Sequence, residues 1–67
     1  MNIPIKDVEN LADKCGCDMA IVIGFDLKAG TFQVTSHGRT LTLCRVAKGL
    51  NEQIHKLITV GAIEPNP

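Results

Sequence analysis

The chain has 67 residues, of which 45% are hydrophobic, 21% charged and 3% aromatic, with seven Lys+Arg against seven Asp+Glu. A chain this short forms one domain, expected over 1–67, and buries only about 60% of the surface its unfolded form exposes, so it is marginal without a staple or a second subunit. Zero net charge argues against a dedicated binder of duplex nucleic acid or of a membrane surface, because both rely on a summed positive field.

Phe25 and Phe32 are the whole aromatic complement, which leaves no stacking platform for bases or sugars. The N-terminus lacks a basic start followed by an apolar run, and no stretch approaches the roughly 18 apolar residues of a membrane span. The expectation is a soluble, cytoplasmic protein with no membrane partner. Three cysteines, Cys15, Cys17 and Cys44, make an odd number. That is unlike the even framework of a secreted disulfide scaffold, and the thiols are expected to be reduced.

From Ile5 to Cys15, the residues Ile5, Val8, Leu11, Ala12 and Cys15 recur at three- and four-residue spacing among polar neighbours. This pattern predicts an amphipathic helix, with Pro4 in its first turn and Gly16 ending it in a left-handed cap. Cys17 to Phe25 reads as a strand with a heavy face (Cys17, Met19, Ile21, Ile23, Phe25) and a light one (Asp18, Ala20, Val22, Gly24). Asp26–Gly30 has turn composition, and Thr31–Ser36 alternates polar with apolar. The two runs predict an antiparallel hairpin with a five-residue loop.

His37-Gly38-Arg39 reads as a turn, with Thr40 or Thr42 as the N-cap of a second helix. Leu43, Val46, Ala47, Leu50, Ile54, Leu57 and Ile58 mark its apolar stripe. Gly49 inside that helix implies close packing or a bend, Gly61 its C-terminal cap, and 63–67 a frayed tail.

The fold class is therefore α+β, in the order α-β-β-α, with the hairpin packed on two helices. A two-stranded hairpin is marginal alone, and two helices on the heavy face leave the light face bare. Two subunits could join edges into a four-stranded sheet or stack their light faces, so a homodimer is expected, with Ala20, Val22, Gly24 and Gln33 as its interface. The alternative is a monomer with a half-exposed face carrying Thr31, Gln33 and Thr35.

Charge is unevenly spread. Residues 1–30 hold three Lys against four Asp and one Glu, and residues 31–67 two Arg and two Lys against two Glu. Arg45, Lys48, Glu52, His55 and Lys56 share the outer side of the second helix, as a solvated face or a docking surface.

Cys15, Cys17, Cys44, His37 and His55 offer thiolate and imidazole, but their spacing does not fit structural zinc, and no metal or cofactor is expected. Ser36 to Thr40 lies at a helix N-terminus, where Gly38, Arg39, Thr40 and Thr42 could hold a phosphate or carboxylate; the plainer reading is a turn and a capped helix. His37 with Ser36 or Cys44 lacks an orienting carboxylate nearby, so no catalytic residues and no enzyme are expected.

From Phe25 onward, Asp26, Val34, Thr35, Gly38, Arg39, Thr40, Cys44, Ala47, Gly49 and Asn51 resemble a loose group of small phage- and prophage-encoded proteins over about half the chain. The match departs at Gly49-Leu50-Asn51 and at His37. The resemblance implies an origin and no activity. By class analogy with anti-CRISPR and other anti-defence proteins, it suggests a non-enzymatic inhibitor acting on a protein or complex of the bacterial host cytoplasm. Its contacts are expected at Arg39, Arg45, Lys48, Asn51, His55 and Lys56, borne on an oligomer. The alternative function is an oligomer that sequesters nucleotides or anions at Gly38–Thr40.

Overall fold

A computed structural model describes residues 1–63. It contains α1 (Ile5–Cys15), β1 (Met19–Asp26), β2 (Thr31–Gly38) and α2 (Leu41–Thr59), so the predicted α-β-β-α order holds. The 63–67 tail lies, beyond Ile63, outside the described residues.

Pro4 is the N-cap of α1 and not its first helical residue. It has no side-chain hydrogen bond to offer, but its carbonyl accepts from Asp7 and Val8 N–H. Gly16 ends the helix at φ 72°, the left-handed region that glycine enters without a Cβ clash. Thr40 caps α2 by accepting from Leu43 N–H at 3.1 Å. Past its other end, Gly61 and Ala62 N–H donate to the carbonyls of Ile58 and Leu57, a Schellman closure.

The hairpin loop is Leu27–Gly30, one residue shorter than expected, since Asp26 pairs with Thr31. His37 and Gly38 extend β2 where a turn was predicted; the bend falls at Arg39 and Thr40.

The placement of the helices corrects the expectation that both cover the heavy face. Among the described residues α1 meets β1 and β2 but does not approach α2, which two helices sharing one side of a two-stranded ribbon could not avoid. The heavy face receives α2: the Phe32 and His55 rings lie 4.6 Å apart, and Asn51 Nδ2 donates to Ser36 Oγ at 3.2 Å.

The light face receives the N-terminal segment and α1. A Cβ on Gly24 would lie 2.7 Å from Ile3 Cδ1 and 2.9 Å from Met1 Sδ. Gln33, opposite Gly24, holds Ile3 at both ends, accepting from its N–H at 2.9 Å and donating to its carbonyl at 3.1 Å. Buried Thr35 donates to the same carbonyl at 2.7 Å. Gly24 and Gln33 are thus covered by the chain's own first residues, and Ala20 and Val22 are half-buried beside them. The light face is not a bare sheet surface awaiting a second subunit.

Among the described residues the buried apolar core is small, consisting of Val8 and Ala12 from α1 and Ala47 from α2. Leu43, Ala47, Asn51, Ile54 and Ile58 form the inward side of α2. Val46, Leu50 and Leu57, predicted in the same stripe, fall on a flank turned about 80° from it and stay 47%, 43% and 42% exposed. Gly49 meets nothing within 4 Å of a built Cβ, so the expected close packing there is absent.

Hydrogen bonding gives the hairpin two different edges. Arg39 N–H donates to Asp18 C=O at 2.9 Å across the register, which makes that a hydrogen-bonded pair, and such pairs alternate along an antiparallel ladder. Ala20, Val22, Gly24 and Asp26 therefore turn their N–H and C=O toward β2, and Met19, Ile21, Ile23 and Phe25 turn theirs outward. On β2 the outward set is Phe32, Val34, Ser36 and Gly38. Two of those carbonyls have donors from α2: Val34 O receives Asn51 Nδ2 at 3.0 Å and Gly38 O receives Cys44 Sγ at 2.9 Å.

Candidate functional site

The turn from β2 into α2 was the candidate anion site, and local structure decides what its residues do. Gly38 is buried, and a Cβ there would collide with the backbone of Leu43 and Cys44, lying 2.7 Å from Leu43 O. Its missing side chain admits the first turn of α2, not a ligand. Arg39 places Nη1 2.9 Å from Asp18 Oδ1 and Nη2 3.5 Å from Asp13 Oδ1, with Cys17 O at 3.4 Å. The guanidinium thus joins the end of α1 to the start of β1, and its fork is already occupied by carboxylates. The Thr40 hydroxyl is engaged as the N-cap. Of the four proposed anion ligands, Thr42 alone is exposed without such a role.

A groove of about 350 Å³ lies between the N-terminal segment and α2 along the outer edge of β2, lined by residues that include Ile3, Gln33, Thr35, Ser36 and Asn51. It is at the small end for a ligand site. Its polar groups serve one another: the Gln33 amide also donates to Thr35 Oγ1 at 3.1 Å, and among the described residues no buried side-chain N or O lacks a partner. This is a polar lock that holds Ile3 on the sheet.

The six residues assigned to partner binding divide. Asn51 belongs to the interior contact of α2, His55 packs its ring at a tilt against Phe32, and Arg39 is tied to two aspartates. Arg45, Lys48 and Lys56 are exposed on the side of α2 away from the hairpin, and among the described residues no carboxylate lies within 4 Å of them. The structure leaves three of the six as a basic strip on one face, with exposed Glu52 among them.

Cys15, Cys17 and Cys44 are free and exposed, and among the described residues no three His, Cys, Asp or Glu side chains gather as a metal would need. No described helix is long and apolar enough to cross a membrane.

What sequence reasoning missed is structural. Asn51 stands at helical spacing between Ala47 and Ile54, a position that periodicity assigns inward. Gln33 gives no such signal, because its partner Ile3 is 30 residues away. No family model, no curated protein and no solved structure matches the chain.

Proposed function

We propose that the protein is a non-enzymatic binding protein of the phage accessory kind, which inhibits a host defence or regulatory protein by occupying an acidic surface on it. The observation that carries this reading is the outer face of α2, where Arg45, Lys48 and Lys56 are exposed around a single acid, Glu52, and make no ion pair among the described residues. Exposed charges contribute modestly to affinity, but a face of net positive sign steers encounter and selects partners of opposite potential. Zero net charge on the chain favours a local acidic patch over a polyanion as the target. The phage origin and the host compartment rest on the sequence resemblance alone.

The test is affinity capture from bacterial lysate with the wild type and with the combined substitution Arg45→Glu, Lys48→Glu and Lys56→Glu, whose folding is checked by circular dichroism. A protein retained by the wild type, released as salt is raised and not retained by the reversed-charge variant is the expected result. Equal retention by both, or none by either, overturns the reading.

A further inference from the structure

We infer that the outer edge of β1 and the apolar flank of α2 together form the interface of a two-fold dimer, and that its occupant is a second copy of this chain. The inference rests on the fold and does not depend on the basic strip, which lies on the other side of α2.

The edge itself is the first observation. Met19, Ile21, Ile23 and Phe25 point their backbone N–H and C=O away from β2, and among the described residues no hydrogen bond reaches those groups. Natural edge strands are blunted by charge, proline, bulges or a covering element. From Met19 to Phe25 there is no charged residue and no proline, and the register runs without a bulge.

The second observation is apolar surface beside that edge. Ile23 is 39% exposed, and Val46, Leu50 and Leu57 line the adjoining side of α2. Cys44, Asn51 and His55 reach β2 from the opposite flank of the helix, so the Val46–Leu57 flank leans toward β1 and past it.

Symmetry identifies the occupant. If Val22 lies opposite Val22 of a second antiparallel copy, Ile21 pairs with Ile23 of that copy and Met19 with Phe25. All four outward residues of each strand are then bonded, giving about eight new hydrogen bonds. The large side chains meet on the heavy face and the small ones on the light face. Asp18 comes opposite Asp26 of the second copy, a like-charge pair at each end of the new ladder that opposes the pairing, while Arg39 stays engaged with Asp13 and Asp18.

The same axis serves the helices. Val22 pairs with Thr35, and Asn51 bonds to the residues on either side of Thr35. The middle of the Val46–Leu57 flank is therefore level with Val22, and one two-fold axis makes both the strand edge and the helix flank self-complementary.

Two measurements on the full chain test this. At about 100 μM, far above a micromolar Kd, light scattering should give twice 7.2 kDa. Residue-resolved hydrogen exchange should then show the Met19, Ile21, Ile23 and Phe25 amides protected to within about tenfold of Ala20, Val22 and Gly24. Ile23→Lys and Leu50→Glu should each return the dimer to monomer, and Lys48→Glu should leave it intact. A monomeric wild type overturns the inference, as does a dimer whose Ile21 and Ile23 amides exchange freely, because that dimer uses another face. If the two variants fail to fold, exchange in the wild type still decides.

Discussion

The two edges of the hairpin are treated oppositely by one helix. On β2, α2 sends Asn51 to the outward carbonyl of Val34 and Cys44 to that of Gly38, and the Gln33–Ile3 lock flanks the same edge. On β1 the outward groups of four successive odd-numbered residues meet nothing among the described residues, next to three half-exposed aliphatic side chains. A two-stranded sheet has two edges and one long helix, and the helix can defend only the strand that it overlies. The difference lies in what α2 presents to each side: polar reach toward β2, bare hydrocarbon toward β1.

Substitutions that act on one strand sharpen this contrast. The largest effect is expected at the β2 end, where Gly38→Ala forces a methyl group into the backbone of Leu43 and Cys44. The expected loss is about 3 kcal/mol, comparable with the whole stability of a core this small, and urea unfolding followed by circular dichroism measures it. Asn51→Ala comes next. It leaves the Val34 carbonyl without its side-chain donor and should cost about 1–2 kcal/mol. Because β2 then resembles β1 in having an open edge, light scattering should also show assemblies beyond the dimer.

Gly49→Ala acts on neither edge and should stabilise by about 0.5–1 kcal/mol, since its Cβ enters open space; a rise in urea midpoint without a change in slope checks it. The smallest effect belongs to Gly24→Ala in β1, where the neighbours are the flexible ends of Ile3 and Met1. A loss below about 1 kcal/mol is expected. Equal losses at Gly24 and Gly38 would show that backbone and side-chain neighbours do not differ as argued.

Periodicity made all four elements legible in the chain, and most boundaries fall within two residues of expectation. Alternation also identified the heavy and light faces of the strands. It could not assign helices to faces, because an amphipathic helix is equally content over either. Ala20 and Gly24 looked like an uncovered surface, yet the missing bulk at Gly24 is what lets Ile3 and Met1 lie against the sheet. The same inversion applies at Gly38, whose bare backbone admits the start of α2. The internal ties of Arg39 and Asn51 leave no mark in the sequence, because the partners that hold them, Asp13 and Asp18 for one and Val34 and Ser36 for the other, are brought near only by the fold. Of the proposed binding surface, the strip Arg45, Lys48 and Lys56 remained outward because no inward position of α2 falls on it.

The separation of α1 from α2 has a mechanical consequence. Among the described residues one helix influences the other through a twisted ribbon two strands wide and through the Arg39–Asp13 contact at the start of α2. A partner that grips the basic strip on α2 would be felt at α1 chiefly as torsion of that ribbon. The Arg39 clasp on Asp13 and Asp18, at the end where all the elements but the loop converge, is the place where that torsion would be resisted.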